Sequence, residues 1–378
     1  MIDCQKEKFS LSADKTYLNC AYMSPLLKSV EEAGIVGIAK KRNPFNVTAD
    51  HFFEDTEALR QEYGKLINAD PKHVVVTNSV SYGMANVTKN VDLKSHENVI
   101  VLGEQFPSNY YPWKRLCDET GATLKVIAAP NEFRDRGKLW NEHILEAIDK
   151  NTKVVALGHV HWADGTLFDL KAIRQRTKEV NALLIIDGTQ SVGALPFDVA
   201  EIQPDALICA GYKWLLGPYA IGMSYYGEYF DQGVPVEENW INRLHSEDFA
   251  GLVSYEDNYQ PGVLRYESGE HSNFILIPMF LEAIRQLNEW GVNNIQQYCK
   301  SLTDFEAFKS LNLEDANYRA SHLFGIRLPN ADIAAVKAKI ESENFSVSIR
   351  GSAVRISPHV YNTREELERL VELLNTFS

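Results

Sequence analysis

Three short stretches of the chain carry side chains that could bind an anion, exchange a proton and act as an amine nucleophile. Thr77-Asn78-Ser79-Val80-Ser81 sets small hydroxyl residues ahead of a helix-like segment. Backbone N–H groups and hydroxyl donors there suit a phosphate, with plain N-capping as the alternative. Asp187-Gly188-Thr189-Gln190-Ser191 places an acid where an apolar run ends. A carboxylate in such a place is costly unless a cation or a donor faces it, and a turn acid is the simpler explanation. Ala210-Gly211-Tyr212-Lys213-Trp214 sets a lysine between two aromatics. Desolvation would lower its pKa and free the neutral amine as a nucleophile, although a lone lysine usually snorkels to solvent.

The elements that must position these stretches are short apolar runs: Val74–Val76, Asn98–Leu102, Thr123–Ala128, Val154–Leu157, Ala182–Ile186 and Ala206–Cys209. They are rich in Val, Ile and Leu on both faces, as strands of a covered parallel sheet are. Trp140–Asp149 and Leu170–Val180 fit helical crossovers, so the pattern predicts an α/β domain with a mostly parallel central sheet sandwiched by helices. Beyond about residue 255 come an amphipathic stretch, Phe274–Leu287, strands at Ser321–Leu328, Ser346–Ile349 and Ala353–Ser357, and a helix at Arg364–Leu374 capped by Asn362 or Thr363. This reads as a smaller α+β C-terminal domain. The expected division is an N-terminal segment 1–20, a large domain 21–260 and a small domain 261–378.

Ligands of open α/β sheets collect at the carboxyl ends of the strands, which is where all three stretches fall. A phosphate cradle, a buried acid and a desolvated lysine on one sheet edge are what pyridoxal 5′-phosphate (PLP) requires. The acid keeps the pyridine nitrogen protonated and the lysine forms the imine.

The sequence around these residues resembles the class V aminotransferase group of fold-type I PLP-dependent enzymes, which includes cysteine desulfurases, kynureninase and isopenicillin-N-epimerase-like proteins. The most specific stretches are Ile186-Asp187-Gly188-Thr189-Gln190-Ser191-Val192-Gly193 and Gly211-Tyr212-Lys213-Trp214-Leu215-Leu216-Gly217-Pro218. The resemblance implies that Lys213 is the Schiff-base lysine and Asp187 the partner of the ring nitrogen. Gln190 would bond the ring's phenolic oxygen, Thr189 would lie beneath the ring and Phe106 would stack on it. Ser79, Val80 and Ser81 would hold the phosphate, with the Tyr212 hydroxyl within reach. The run Arg350-Gly351-Ser352-Ala353-Val354-Arg355-Ile356-Ser357 resembles the substrate-carboxylate segment, with Arg355 as the first choice for the α-carboxylate and Arg350 the second. Asn19, Ala21 and Trp162 are further expected substrate contacts. The chain departs from the family pattern at Arg265-Tyr266-Glu267-Ser268-Gly269-Glu270, where Glu270 replaces the threonine that reaches a neighbouring subunit's phosphate. Ser268 and Ser272 are candidate substitutes.

The implied activity is aminotransferase-like chemistry on a small amino acid, with Lys213 as general base. A C–S β-lyase, an amino-acid epimerase and a kynureninase-like hydrolase remain open. A persulfide-forming cysteine desulfurase is not expected, because Arg350 to Arg355 is short and lacks a cysteine, and Cys299 falls in a helical stretch. The resemblance further implies a homodimer with sites at the subunit interface. A catalytically silent PLP-fold protein would have lost Lys213 or Asp187, and both are present.

Composition agrees with a soluble globular chain: of 378 residues, 45% are hydrophobic and 24% charged, and the net charge of −13 argues against a nucleic-acid partner. The 5 cysteines form no CxxC pair, which points to a reducing, cytoplasmic setting rather than a disulfide framework. The sequence MIDCQKEKFS lacks the apolar run of a secretory signal, and no stretch reads as a membrane span. His159-Val160-His161 could chelate a metal from one strand face, but no further ligands share its spacing, so no metal is expected. No GxGxxG opens a helix after a strand, which disfavours a nicotinamide site.

Overall fold

In the computed structural model, residues 2–132, 135–309, 311, 313–328, 330–351 and 353–377 are described. A short strand β1 (Thr16–Tyr17) precedes the main sheet. That sheet is built from β2 (Val74–Thr77), β3 (Asn98–Leu102), β4 (Thr123–Ile127), β5 (Thr152–Gly158), β6 (Leu183–Asp187), β7 (Ala206–Ala210) and β8 (Gly222–Tyr226). The C-terminal part contributes β9 (Phe324–Arg327), β10 (Phe345–Ser346), β11 (Ser348–Arg350) and β12 (Ala353–Ile356).

The seven-stranded sheet has the order β2-β8-β7-β6-β5-β3-β4. Its neighbours run parallel except β8, which is antiparallel to both β7 and β2. Alternate residues feed two separate cores: Ile100, Leu102, Leu184 and Ile186 point to one, Val99, Val101, Leu183 and Ile185 to the other. A strand with apolar side chains on both faces needs cover on both faces, and helices supply it.

Two details differ from the sequence reading. Strand β4 is not buried on both faces; Thr123 and Val126 are exposed because β3 is its only neighbour. Strand β8 was not expected at all, since Gly-Met-Ser-Tyr-Tyr shows neither clean alternation nor a run of branched residues.

The helix Leu276–Trp290 lies along the helices Lys28–Lys40 and Glu54–Ile67. Gly37 permits the approach: a Cβ there would stand 2.3 Å from the Phe274 carbonyl oxygen. In the C-terminal sheet β12 is central, antiparallel to β11 and β9. The stretch expected as one strand at 346–349 is divided between β10, which pairs with β1, and β11, which pairs with β12. Thr363 caps the last helix in a reciprocal box with Glu366, while Asn362 reaches back to the Tyr17 carbonyl at 2.9 Å. Among the described residues no helix is long and apolar enough to cross a membrane.

Candidate active site

The carboxyl ends of β2, β3, β5, β6 and β7 converge on one cavity of about 320 Å³. The antiparallel strand β8 starts at the same edge, so Tyr219, Ala220 and Ile221 close one side. Ser79, Val80, Ser81, Phe106, Trp162, Asp187, Thr189, Gln190, Tyr212 and Lys213 all line this space. Residues spread over more than 130 positions are therefore gathered at one sheet edge, as strand-end placement requires.

Ser79 caps the helix Val80–Lys89, its Oγ accepting from the Tyr82 N–H at 3.1 Å and lying 3.0 Å from Ser81 Oγ. The first intrahelical bond runs from Gly83 N to the Ser79 carbonyl. The N–H groups of Val80 and Ser81 precede it, so the helix has no carbonyl for them, and they suit an anion.

Lys213 is only 6% exposed. Burial lowers its pKa to about 8, Asp187 pulls it upward, and Arg355 and Arg350 push it down further. Its Nζ stands 5.4 Å from the Phe106 ring centre and 5.5 Å from that of Tyr212. Asp187 is raised above the ordinary carboxylate value by burial, with Thr189 and Lys213 acting against it. Its Oδ1 accepts from the Thr189 N–H at 3.0 Å, and the Thr189 hydroxyl accepts from Ala210 N at 3.1 Å, tying the ends of β6 and β7 together.

Gln190 is fixed from three sides. Its Nε2 donates to the Ala21 carbonyl at 3.1 Å, its Oε1 accepts from Trp214 Nε1 at 2.8 Å, and its carbonyl oxygen meets His322 Nε2 at 2.8 Å. One of the two amide hydrogens is left for a ligand. Phe106 packs edge-on against Trp162 with ring centres 5.5 Å apart.

Asn19, Ala21 and Arg355 lie behind the cavity wall. Arg355 is 1% exposed; its Nη1 donates to the Trp162 carbonyl at 2.8 Å and its Nη2 to Ser348 Oγ at 3.2 Å. Burial, and then Arg350, bring its pKa down to about 9. Ser348 Oγ in turn donates to Asn19 Oδ1 at 2.8 Å. Ala21 is buried, its N–H donating to Ser357 Oγ at 3.0 Å. Arg350 stands 5.5 Å over the Trp162 ring. Ser352 lies outside the described residues.

Glu267 is a core residue, 3% exposed, that accepts from Arg60 Nη1 at 2.8 Å and Val76 N at 3.2 Å and faces His271 Nδ1 at 3.2 Å. Burial pushes its pKa up, but His271 and Arg60 hold it below the usual value. Ser268 is fully buried, Ser272 half-buried and Glu270 exposed. His159 packs edge-on to Phe197 while His161 bonds Asp164 at 3.0 Å and lies against Trp140. None of the 5 cysteines is exposed: Cys20, Cys117, Cys209 and Cys299 are buried and Cys4 is half-buried.

The sequence reading missed Tyr219 and Asn109. Tyr219 lines the cavity against Tyr212 with ring centres 4.6 Å apart, and Asn109 is fully buried and accepts from Trp113 Nε1 at 3.0 Å. Recognising β8 as a strand starting at this edge would have found Tyr219.

A family model described as aminotransferase class-V matches residues 40–370. The chain belongs to the class-V aminotransferase family. Within that family, the uncharacterized aminotransferase YcbU of Bacillus subtilis is 28% identical over 325 residues, covering 84% of this chain and 83% of its own. A probable cysteine desulfurase of Methanothermobacter thermautotrophicus is 27% identical over 343 residues, covering 84% and 82%. The apo structure of a cysteine desulfurase from Thermococcus onnurineus NA1 superposes with a TM-score of 0.83 at 22% identity, over 100% of this chain and 98% of that one. A C-DES variant with glycine covalently linked to its PLP cofactor superposes at 0.84 and 20% identity, over 99% and 100%. The fold is that of the fold-type I PLP enzymes, and the class-V protein described here is a PLP-dependent enzyme. A helix start suited to phosphate, an acid, an amine of lowered pKa and an aromatic ring all face one cavity, so the residues present fit that cofactor.

Proposed function

We propose that this enzyme is an aminotransferase acting on a small amino acid, with Lys213 as the residue that holds PLP covalently. The observation that carries the reading is Lys213 itself: buried, with its pKa lowered to about 8, at the cavity edge shared with Asp187 and Phe106. When bound, PLP supplies an electron sink that makes the Cα–H of an amino acid acidic. Lys213 takes up that proton and returns it, and an amine with pKa near the working pH is suited to both directions. Asp187 would hold the ring-nitrogen end, the Ser79–Ser81 helix start would hold the phosphate end, and Gln190 would offer its remaining amide hydrogen. Phe106 and Thr189, both lining the cavity, would lie against the cofactor ring. Tyr212 stands beside the lysine, and Trp162 shapes the substrate side.

The carboxylate of the substrate belongs to Arg355, which Asn19 and Ser348 orient and whose only partners among the described residues are uncharged. Ala21 fixes Gln190. A persulfide-carrying desulfurase is disfavoured, since burial raises the thiols of Cys20 to about 12 and Cys117 to about 11 and pushes Cys209 and Cys299 higher still. A direct C–S lyase needs no such thiol and is the second reading; the cystine C–S lyase C-DES is among the solved structures of similar fold. The five unpaired thiols suit the cytoplasm.

The working unit in this reading is a homodimer. Ile35, Val36 and Ile38 stand 63%, 65% and 59% exposed on one helix, apolar side chains that a second subunit would cover. Light scattering on the purified protein would return twice the chain mass.

The deciding experiment incubates the yellow holoenzyme with individual L- and D-amino acids and identifies the products. A keto acid, with the cofactor recovered as its amine form, is the expected result. Pyruvate plus a released group, or the opposite enantiomer, would replace the aminotransferase reading with elimination or epimerisation. A Lys213→Ala protein that still takes up PLP covalently would remove the role given to Lys213.

A further inference from the structure

The hairpin formed by β11 and β12 carries two arginines, neither of which has a carboxylate partner among the described residues. Its register sets Ser348 opposite Arg355 and Arg350 opposite Ala353. Residues two apart on a strand share a face, and so do directly opposed residues, so Ser348, Arg350, Ala353 and Arg355 all project the same way. Arg350 and Arg355 are then diagonal neighbours, and the small Ala353 leaves room between them.

Like charges in that relation repel, and burial makes the repulsion worse. Their hydrogen-bond partners among the described residues are all uncharged: the Ile349 carbonyl for Arg350, the Trp162 carbonyl and Ser348 hydroxyl for Arg355. Both Nε atoms are buried and find no hydrogen-bond partner. Trp162 joins the pair to the cavity, since its carbonyl holds Arg355, its ring lies under Arg350, and its side chain lines the pocket. Neither arginine lines the cavity itself; both stand close enough behind Trp162 to lower the pKa of Lys213.

One α-carboxylate neutralises the buried Arg355 and leaves the half-buried Arg350, with its buried Nε, unanswered. From this we infer that the substrate is a dicarboxylic α-amino acid, with its α-carboxylate on Arg355 and its side-chain carboxylate on Arg350. This rests on the proposed amino-acid reading and deepens it. Arg350 is the specificity-determining residue, and its planar fork matches a carboxylate in two parallel bonds.

The test uses carboxylic acids that carry no amino group and so bind without reacting. Calorimetric titration of the holoenzyme compares succinate and glutarate with butanoate. The wild-type enzyme should bind the better dicarboxylate at least about tenfold more tightly, the scale of one added charged hydrogen-bonded contact. Arg350→Gln should remove that preference while leaving butanoate affinity within about threefold, Arg350→Lys should keep part of it, and Arg355→Gln should weaken both ligands. Equal binding of succinate, glutarate and butanoate to the wild-type protein would overturn the inference, as would an Arg350→Gln loss shared equally by both classes. If neutral amino acids change the cofactor's absorbance while neither dicarboxylate binds, this inference falls and the amino-acid reading stands. If no amino acid of any kind perturbs the absorbance, the amino-acid reading itself falls.

Discussion

Replacing Lys213 with methionine in the cofactor-free protein tests the electrostatics of the site without any catalysis. The folded chain lowers the proton affinity of this amine from the ordinary lysine value of 10.5 to about 8, chiefly by burial. The sign follows from linkage: between those two values the unfolded chain binds more protons than the folded one, so this group makes stability rise with pH. Below about pH 8 the folded protein carries a buried ammonium at a penalty of about 3 kcal/mol, at about 1.4 kcal/mol per pH unit. Near pH 10 the amine is neutral in the folded state and largely charged in the unfolded one, and about 1 kcal/mol of the penalty remains. Methionine has similar length and no charge, so any packing difference is a constant offset. Urea unfolding of both proteins from pH 7 to pH 10 should show the advantage of Lys213→Met shrinking by about 2 kcal/mol. Parallel stability profiles across that range would mean that Lys213 is not desolvated, and the nucleophile argument would go with it.

Glu267→Ala should destabilise the protein by about 3 kcal/mol in urea unfolding, because it leaves the Val76 N–H unpaired in the core and removes one of the two carboxylates, Glu57 being the other, that hold Arg60. Ser79→Ala should cost about 1 kcal/mol through loss of the cap and should release PLP more readily in a dialysis assay than wild type does. Gly193→Ala should lower the melting temperature sharply and weaken cofactor uptake together. Its φ of +101° disfavours a side chain, and the added Cβ would stand 2.3 Å from the Trp214 carbonyl next to Lys213.

The parts of the site carried by strand ends were legible in the sequence because each is local. A buried strand announces itself by its apolar run, and the residues after it, Ser79–Ser81, Asp187–Gln190 and Tyr212–Lys213, are set at the sheet edge by the fold alone. Strand β8 escaped because Gly222 and Ser224 interrupt the pattern, and with it went Tyr219. Burial of Thr123–Ile127 was overestimated because a sequence run does not say how many neighbours a strand has. The holding contacts were illegible for a different reason. Arg355 to Trp162, Gln190 to Ala21 and Ser348 to Asn19 join residues 193, 169 and 329 positions apart, and no periodicity relates them. The twin arginines were visible as residue types, but their shared face needed the hairpin register.

The segment 16–21 has a consequence for how the molecule comes to be. Thr16 and Tyr17 pair with Phe345 and Ser346, Asn19 bridges to Ser357, and Ala21 then reaches Gln190 beside the cavity. During synthesis residues 16–19 must therefore wait for these partners until residue 357 has emerged. The central sheet can assemble from near neighbours, but closing this seam demands contacts between residues 16–19 and 345–357, far apart in sequence, which form late and slowly. A nascent or clipped chain ending before residue 345 would own Lys213 and Asp187 yet lack both Arg355 and the seam that brings Ala21 to Gln190. Completion of the active centre thus waits on synthesis through residue 357.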